Sequence, residues 1–348
     1  QSTLRKTEKR TIIQTTNGAN RLDARGAFST MKKRIFQLLS NRVYFLLLLL
    51  ILVMVVMSLI SPYFLNIDNL ITMARFGAVL ALVGLGQSLI ILAGGAGIDL
   101  SVGSMISLAG VMFGFMVKSG LNVWLSAVFA ILIGGILGSV NGLTIAIWGL
   151  PPLIGTLGTM YAYGALALVM TNGVPISGFP DGFSFLANGK VLGLPTQIIL
   201  VVIPVFLILL FIVRKTDFGR WIYLVGINEN SAQFSGIQVK RVRFVLYVIS
   251  GLLAGMGAVI MSSWLMASRP DAGSGMDMRS ITVAVLGGTD IYGGVGNIMG
   301  TILAVLIVTM IASGLQLANI NTIWQLAVLG VILLGAVSLN QIFVSKTN

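Results

Sequence analysis

The sequence contains no cysteine and no histidine. Without cysteine there is neither a disulfide framework nor a thiolate nucleophile, and with both residues absent the usual zinc sites go too. The lack of histidine removes the side chain most used as a base near neutral pH. Charge is scarce: Lys, Arg, Asp and Glu are 9% of 348 residues, where a soluble domain carries about a quarter. The ten acidic residues are spread along the chain, so the clustered carboxylates of a membrane enzyme are missing. There is also no Gly-x-x-x-x-Gly-Lys-Ser/Thr loop, so the chain does not hydrolyse ATP by the usual route. Any nucleotide-driven work falls to a partner.

In place of charge the chain is 56% hydrophobic and holds 42 glycines. That composition predicts an all-α polytopic membrane protein, with glycines where helices pack closely or break. The net charge of +12 would suit nucleic acid, but its distribution does not. Ten of the 22 Lys and Arg lie at or before Arg42, six lie in 214–243 and one is Lys346. If these three regions share one side, 17 of 22 obey the positive-inside rule, which argues for membrane orientation and no nucleic-acid partner. Both termini are then cytoplasmic in a multi-pass protein.

Residues 1–40 form a basic cytoplasmic tail with no sustained apolar period, read as disordered or as an interfacial lead-in, with lipid attraction of the basic cluster a secondary role. Its first 30 residues are polar and the first apolar run is long, unlike a cleaved signal peptide. The rest, 41–345, reads as one transmembrane domain with a charged loop at 214–243. Spans are expected at about 43–60, 76–93, 100–117, 123–147, 153–170, 196–213, 244–266, 281–290 (short and broken), 298–317 and 323–339. Ten spans put 172–195 and 267–280 on the outer side.

The stretch that organises the chain is GGAGIDLSVGS, 94–104. Asp99 has 23 uncharged residues before it and 18 after it, each run about one bilayer thick at helical rise. An acid so placed faces protein, water or a helix end. Two readings stay open: a tight turn in which Asp99, Ser101 and Ser104 cap the next helix, or a direct role in a solute path. Asp290, amid Gly287, Gly288, Thr289, Gly293, Gly294, Gly296 and Gly300, is the second candidate intramembrane acid. Gln87, Asn141, Thr156, Thr159, Tyr163, Trp264 and Gln325 are further polar or aromatic residues inside spans, candidates to line a path or to bond helix to helix.

Three segments together carry a resemblance: GIDLSVGS at 97–104, FGRWIYLVGINENSAQFSGIQVKRVR at 218–243, and AVLGGTDIYGGVGNIMGT at 284–301. In this order and spacing the chain resembles the membrane permease of bacterial ABC importers of the ribose type, the branch that also includes autoinducer-2 and other monosaccharide permeases. The resemblance runs from about residue 61 to 339. Ala96-Gly97 looks like a small insertion, and Ile227 stands where family members generally have Gly. It implies an inner-membrane importer subunit for a monosaccharide or polyol-like solute, not itself an enzyme and without a cofactor of its own. It also implies a second permease subunit, two cytoplasmic nucleotide-binding domains that hold ATP and Mg, and a periplasmic or lipid-anchored substrate-binding protein.

The first and third segments, with Asp99, Ser101, Gly103, Ser104 and the glycines around Asp290, would belong to the translocation path. The second would supply an ATPase-coupling helix at about 228–237, with Gly226, Asn228, Ser231, Ala232, Ser235, Gly236 and Ile237. Asn228 offers a helix start and Gly236 a left-handed exit. Helical spacing puts Ser231, Ala232 and Ser235 on one face, the expected contact face. The competing class is a proton-coupled secondary transporter using Asp99 and Asp290.

Overall fold

The computed structural model describes residues 42–321 together with 324, 327, 330, 331, 334 and 335. The chain divides into two compact units, Gln1–Phe45 with Ser338–Asn348, and Leu46–Val337. Only 42–45 of the first unit are described, so the architecture is that of the second. The tail at 1–40 lies outside the described residues, as do Gln325 and most of the expected span 323–339.

Seven helices among the described residues are long and apolar enough to cross a membrane. Helix α1, Arg42–Ile60, is almost wholly apolar after its first residue and stops before Ser61-Pro62. Helix α2, Ile67–Leu92, starts nine residues earlier than the apolar run. Asn66 caps it, its side chain accepting from Asp68 N at 3.1 Å. The polar first turns carry Asp68, Asn69, Thr72 and Arg75, which hydropathy counts against a span although they suit a helix leaving the bilayer. Helix α3, Val102–Lys118, has 17 residues. Helix α4, Val123–Gly142, runs on as a π-turn to Ile147, and α5, Pro152–Thr171, restarts after Gly149 in a left-handed conformation. A π-turn, Ile198–Val202, leads into α6, Ile203–Lys215.

Two short helices form the charged loop: α7, Asp217–Ile227, and α8, Glu229–Phe234. Then come α9, Val239–Leu265, α10, Met276–Leu286, and α11, Ile298–Leu317. Buried α2 is the central column, against which α9, α10 and α11 pack. Helices α4 and α9 meet backbone to backbone: a Cβ on Gly138 would collide with Tyr247 O, and one on Gly134 with Gly251 O. This small-residue seam lets two apolar helices gain dispersion contact where lipid competes for their surfaces. The outer faces stay apolar and open, as at Ile51 in α1 and Ile154 in α5, 60% and 63% exposed.

The bundle has two distinct ends. At the strand end, β1, Ile176–Ser177, pairs antiparallel with β4, Ala267–Ser268, while β2, Lys190–Val191, and β3, Leu194–Pro195, form a hairpin. Phe179 and Phe183 pack there on Phe113, ring centroids 5.1 and 5.4 Å away, and hold 172–195 against α3. The loop end carries 94–97, the 148–152 turn, α7 and α8. The eleven residues of α10 rise about 16 Å, half a bilayer. Its approach is re-entrant: after β4 the chain folds back so that Gly273 lies on Gly103, and Gly273 N donates to Ser107 Oγ at 3.1 Å. The short, broken span expected at 281–290 is this half-helix, begun five residues earlier.

Candidate functional site

Asp99 is fully buried just before α3. Its carboxylate accepts from Ser101 N at 2.9 Å and Ser101 Oγ at 2.7 Å, with longer approaches from Asn141 Nδ2 (3.4 Å) and Ser250 Oγ (3.5 Å). Asn141 also donates to Ser101 Oγ at 2.7 Å. The Gln87 amide, turned to satisfy both partners, brackets the Asp99 backbone, donating to its carbonyl and accepting from its N–H at 3.1 Å. Thr156 hydroxyl donates to Ile98 O at 3.2 Å. Residues from α2, α4, α5 and α9 thus converge on the 98–101 segment, with Asn141 of α4 and Ser250 of α9 reaching the Asp99 carboxylate itself, and lock the break between α2 and α3. A buried polar network with this many donors fixes a unique arrangement and exposes no carboxylate surface.

Several expected path residues therefore act between helices. Gln87, Asn141 and Thr156 have no exposed surface, and Tyr163 hydroxyl donates to Leu137 O at 3.0 Å. Thr159 bonds back into its own helix, and Trp264 stacks edge-on with Phe76, centroids 4.6 Å apart. Asp99 itself bonds Ser101 N in the manner of a cap. Ser101 precedes the helix but its side chain makes no cap bond, and Ser104 lies inside α3, which corrects its reading as a cap. Gly103 is the contact point for Gly273.

The other two segments meet at the loop end. Gly94, Gly226, Gly293 and Gly294 stack their backbones together. A Cβ on Gly226 would collide with Leu92 O and Gly294 N, and one on Gly293 with Gly94 Cα. Gly294 N donates to Leu92 O at 2.9 Å. Gly94, Gly293 and Gly294 also hold positive φ, so each would be strained with a side chain. Ile227 lies over Gly294. Gly287 and Gly300 make a further close crossing between α10 and α11, and Gly296 lies on the buried Thr289 side chain. Gly288 has a φ of +93°.

Asp290, the second candidate acid, is held by its own loop. It sits in the turn between α10 and α11, its carboxylate accepting from Tyr292 N at 3.0 Å and its own N–H donating to Val295 O at 2.8 Å. This is an Asx-turn in a glycine loop, and Tyr292 beside it is 87% exposed.

Helix α8 lies against the glycine junction. Asn228 Oδ1 accepts from Ser231 N at 2.9 Å and caps the helix start. Gly236 closes it with φ +83°. Glu229 receives both Nη atoms of Arg243 at 2.7 and 3.0 Å, and Gly95 leaves room for that guanidinium. The structure reverses part of the expected contact face: Ala232 and Ile237 point inward, 3% and 9% exposed. Ser231 and Ser235 are exposed, with Ser235 Oγ bonded back to Ser231 O. The large side chain that points outward is Phe234, 92% exposed, which the choice of small residues passed over. An aromatic amid Asn, Ser and Gln on a short capped helix was its sequence signal.

A bundle of apolar helices, broken around a sealed acid and closed at one end by a glycine junction and a capped surface helix, is built as a transport permease. The chain belongs to the family described as branched-chain amino acid transport system / permease component, whose model matches residues 69–337. Within it the chain is of the ribose type. It is 38% identical over 289 residues to the ribose import permease protein RbsC of Bacillus subtilis (strain 168), covering 82% of this chain and 89% of that one. It is 36% identical over 286 residues to the D-allose transport system permease protein AlsC of Escherichia coli (strain K12), covering 82% and 87%. It is also 36% identical over 267 residues to the autoinducer 2 import system permease protein LsrD of Enterobacter sp. (strain 638), covering 75% and 81%. No solved structure matches the chain.

Proposed function

We propose that this chain is the transmembrane subunit of an ATP-driven importer that moves a monosaccharide or similar small polyol into the cytoplasm. The observation that carries this reading is the meeting of Gly94, Gly226, Gly293 and Gly294 beside a capped, exposed helix at the loop end. The names of the relatives support a sugar as solute. The scarcity of charge suits a neutral, hydroxyl-rich molecule. The loop end is cytoplasmic in this reading, with both termini on the same side in a bacterial inner membrane, because six of the 22 Lys and Arg lie in 214–243.

Helix α8 is the coupling element, with Phe234 the anchor that enters a cleft of the ATPase. Two cytoplasmic nucleotide-binding domains bind ATP and Mg, a second permease subunit completes the path, and a periplasmic or lipid-anchored protein delivers solute. The proton-coupled alternative needs acids that exchange protons with the path. Asp99 enclosed in the core with no exposed surface and Asp290 bonded within a turn both weigh against it. The deciding experiment is uptake of radiolabelled D-ribose by vesicles holding the full transporter. Uptake should follow ATP and survive an uncoupler; collapse with the uncoupler at constant ATP would favour the carrier.

A further inference from the structure

A groove of about 550 Å³ lies between α3, α5 and residues 270–278, at the level of the first turns of α3 and α10. Its polar wall is Ser104, Ser107, Tyr161, Asp271, Ser274 and Asp277. None of these belongs to the sealed Asp99 network, and only Ser104 comes from one of the three sequence segments. We propose that this groove is the solute-facing wall of the path and binds the hydroxyls of a neutral sugar. The proposal rests on the importer reading and names where in the chain the solute is met.

Depth in the bilayer is the first support. Asp277 is in the first turn of α10, whose other end reaches Gly287 at the loop end. At helical rise those eleven residues place Asp277 about half a bilayer from that end. The same level is marked independently by Gly273, which packs on Gly103 in the first turn of α3. A carboxylate at that depth is too costly to face hydrocarbon and must face water, solute or a cation. Among the described residues Asp277 makes no ion pair. Tyr161 beside it is 67% exposed, so the groove opens away from the bundle core.

Charge then selects the solute. Asp271 is neutralised by Arg269, which donates to it at 2.8 and 3.0 Å. The uncompensated charge in the groove is that of Asp277, and it is negative. Phosphorylated or carboxylated solutes are repelled, while an uncharged polyol offers O–H donors to the Asp277 carboxylate. Ser104, Ser274 and Tyr161 can donate or accept, which suits hydroxyls of varied orientation. The volume falls within the range of small-molecule sites, and a mostly apolar wall with a few polar groups is their usual make-up.

The absence of native cysteine makes the test direct. Single cysteines replace Ser104, Ser274 and, as a lipid-facing control, Leu132 in the full transporter in vesicles. Each is titrated with a charged, membrane-impermeant methanethiosulfonate. Ser104→Cys and Ser274→Cys should react at least 100-fold faster than Leu132→Cys. Separately, Asp277→Asn should lower D-ribose uptake at least tenfold at unchanged membrane abundance and unchanged ATPase co-purification. Reaction at both positions as slow as at Leu132 would overturn the groove even where uptake is ATP-driven. Unchanged uptake in Asp277→Asn would remove that residue from the site. Fast labelling with uptake that ignores ATP would instead leave the groove standing and sink the importer reading beneath it.

Discussion

At the loop end, Gly226 has no room for a methyl group, because Leu92 O and Gly294 N already occupy its place. Beside the groove, Gly275 has positive φ, which Gly226 does not, yet nothing lies within 4 Å of where its Cβ would be. The same residue type thus serves two purposes. At the junction glycine lets three backbone segments touch, so that α7, the 92–94 turn and the 293–294 turn must move together. By the groove it only turns the chain at the start of a half-helix. A rigid junction suits transmission of a movement begun at α8. An open polar groove suits passage of a solute.

Substitutions can break this contrast. The largest effect is expected from Ala232→Arg, which forces a charge into a site 3% exposed. Burying it unpaired costs roughly 3–5 kcal/mol, enough to undock α8. The expected readout is lost ATPase association together with new protease cleavage within 228–237. Cleavage resistance equal to wild type would show that α8 is not held by Ala232. Next is Gly226→Ala, where overpacking costs roughly 1–3 kcal/mol. D-Ribose uptake should fall at least tenfold while the chain still inserts, and full uptake would mean the junction is loose. Glu229→Gln removes the negative partner of an ion pair whose acid is 47% exposed. Such pairs contribute at most about 1 kcal/mol, so the loss should be under fivefold and should shrink further at high salt. The smallest effect on the ATPase partnership is for Gly275→Ala, where only the φ of +76° is strained. That costs about 1–2 kcal/mol of local stability and should leave ATPase association unchanged.

Much of the fold is legible in the residues alone. The span 298–317 coincides with α11, and 123–147 with α4 and its π-turn, because these runs are long, uncharged and mostly apolar and are bounded by polar or turn-forming residues. Asn228 as a start and Gly236 as a left-handed exit follow from local chemistry. What local chemistry cannot supply is which face turns inward. Ala232 and Phe234 are two residues apart on one short helix, and only packing against the bundle decides that the first is buried and the second bare. Asp99 and Asp290 likewise have similar glycine-rich neighbours, but one is enclosed by four helices and the other ends in a surface turn. The groove is invisible in the sequence for a related reason. It exists because Gly273 lies on Gly103, 170 positions away in the chain, a pairing that no period or motif announces.

The most direct test of coupling through α8 concerns Phe234. Its side chain touches little of its own protein, so truncation leaves the fold alone and reports only what covers it. An aromatic anchor at the centre of an interface is worth roughly 2 kcal/mol or more, a factor of about thirty in affinity. The measurement is the amount of nucleotide-binding subunit that co-purifies with Phe234→Ala permease at equal membrane abundance. A coupling role for α8 predicts a loss of at least tenfold. Retention equal to wild type would contradict that role and leave α8 an ordinary charged loop.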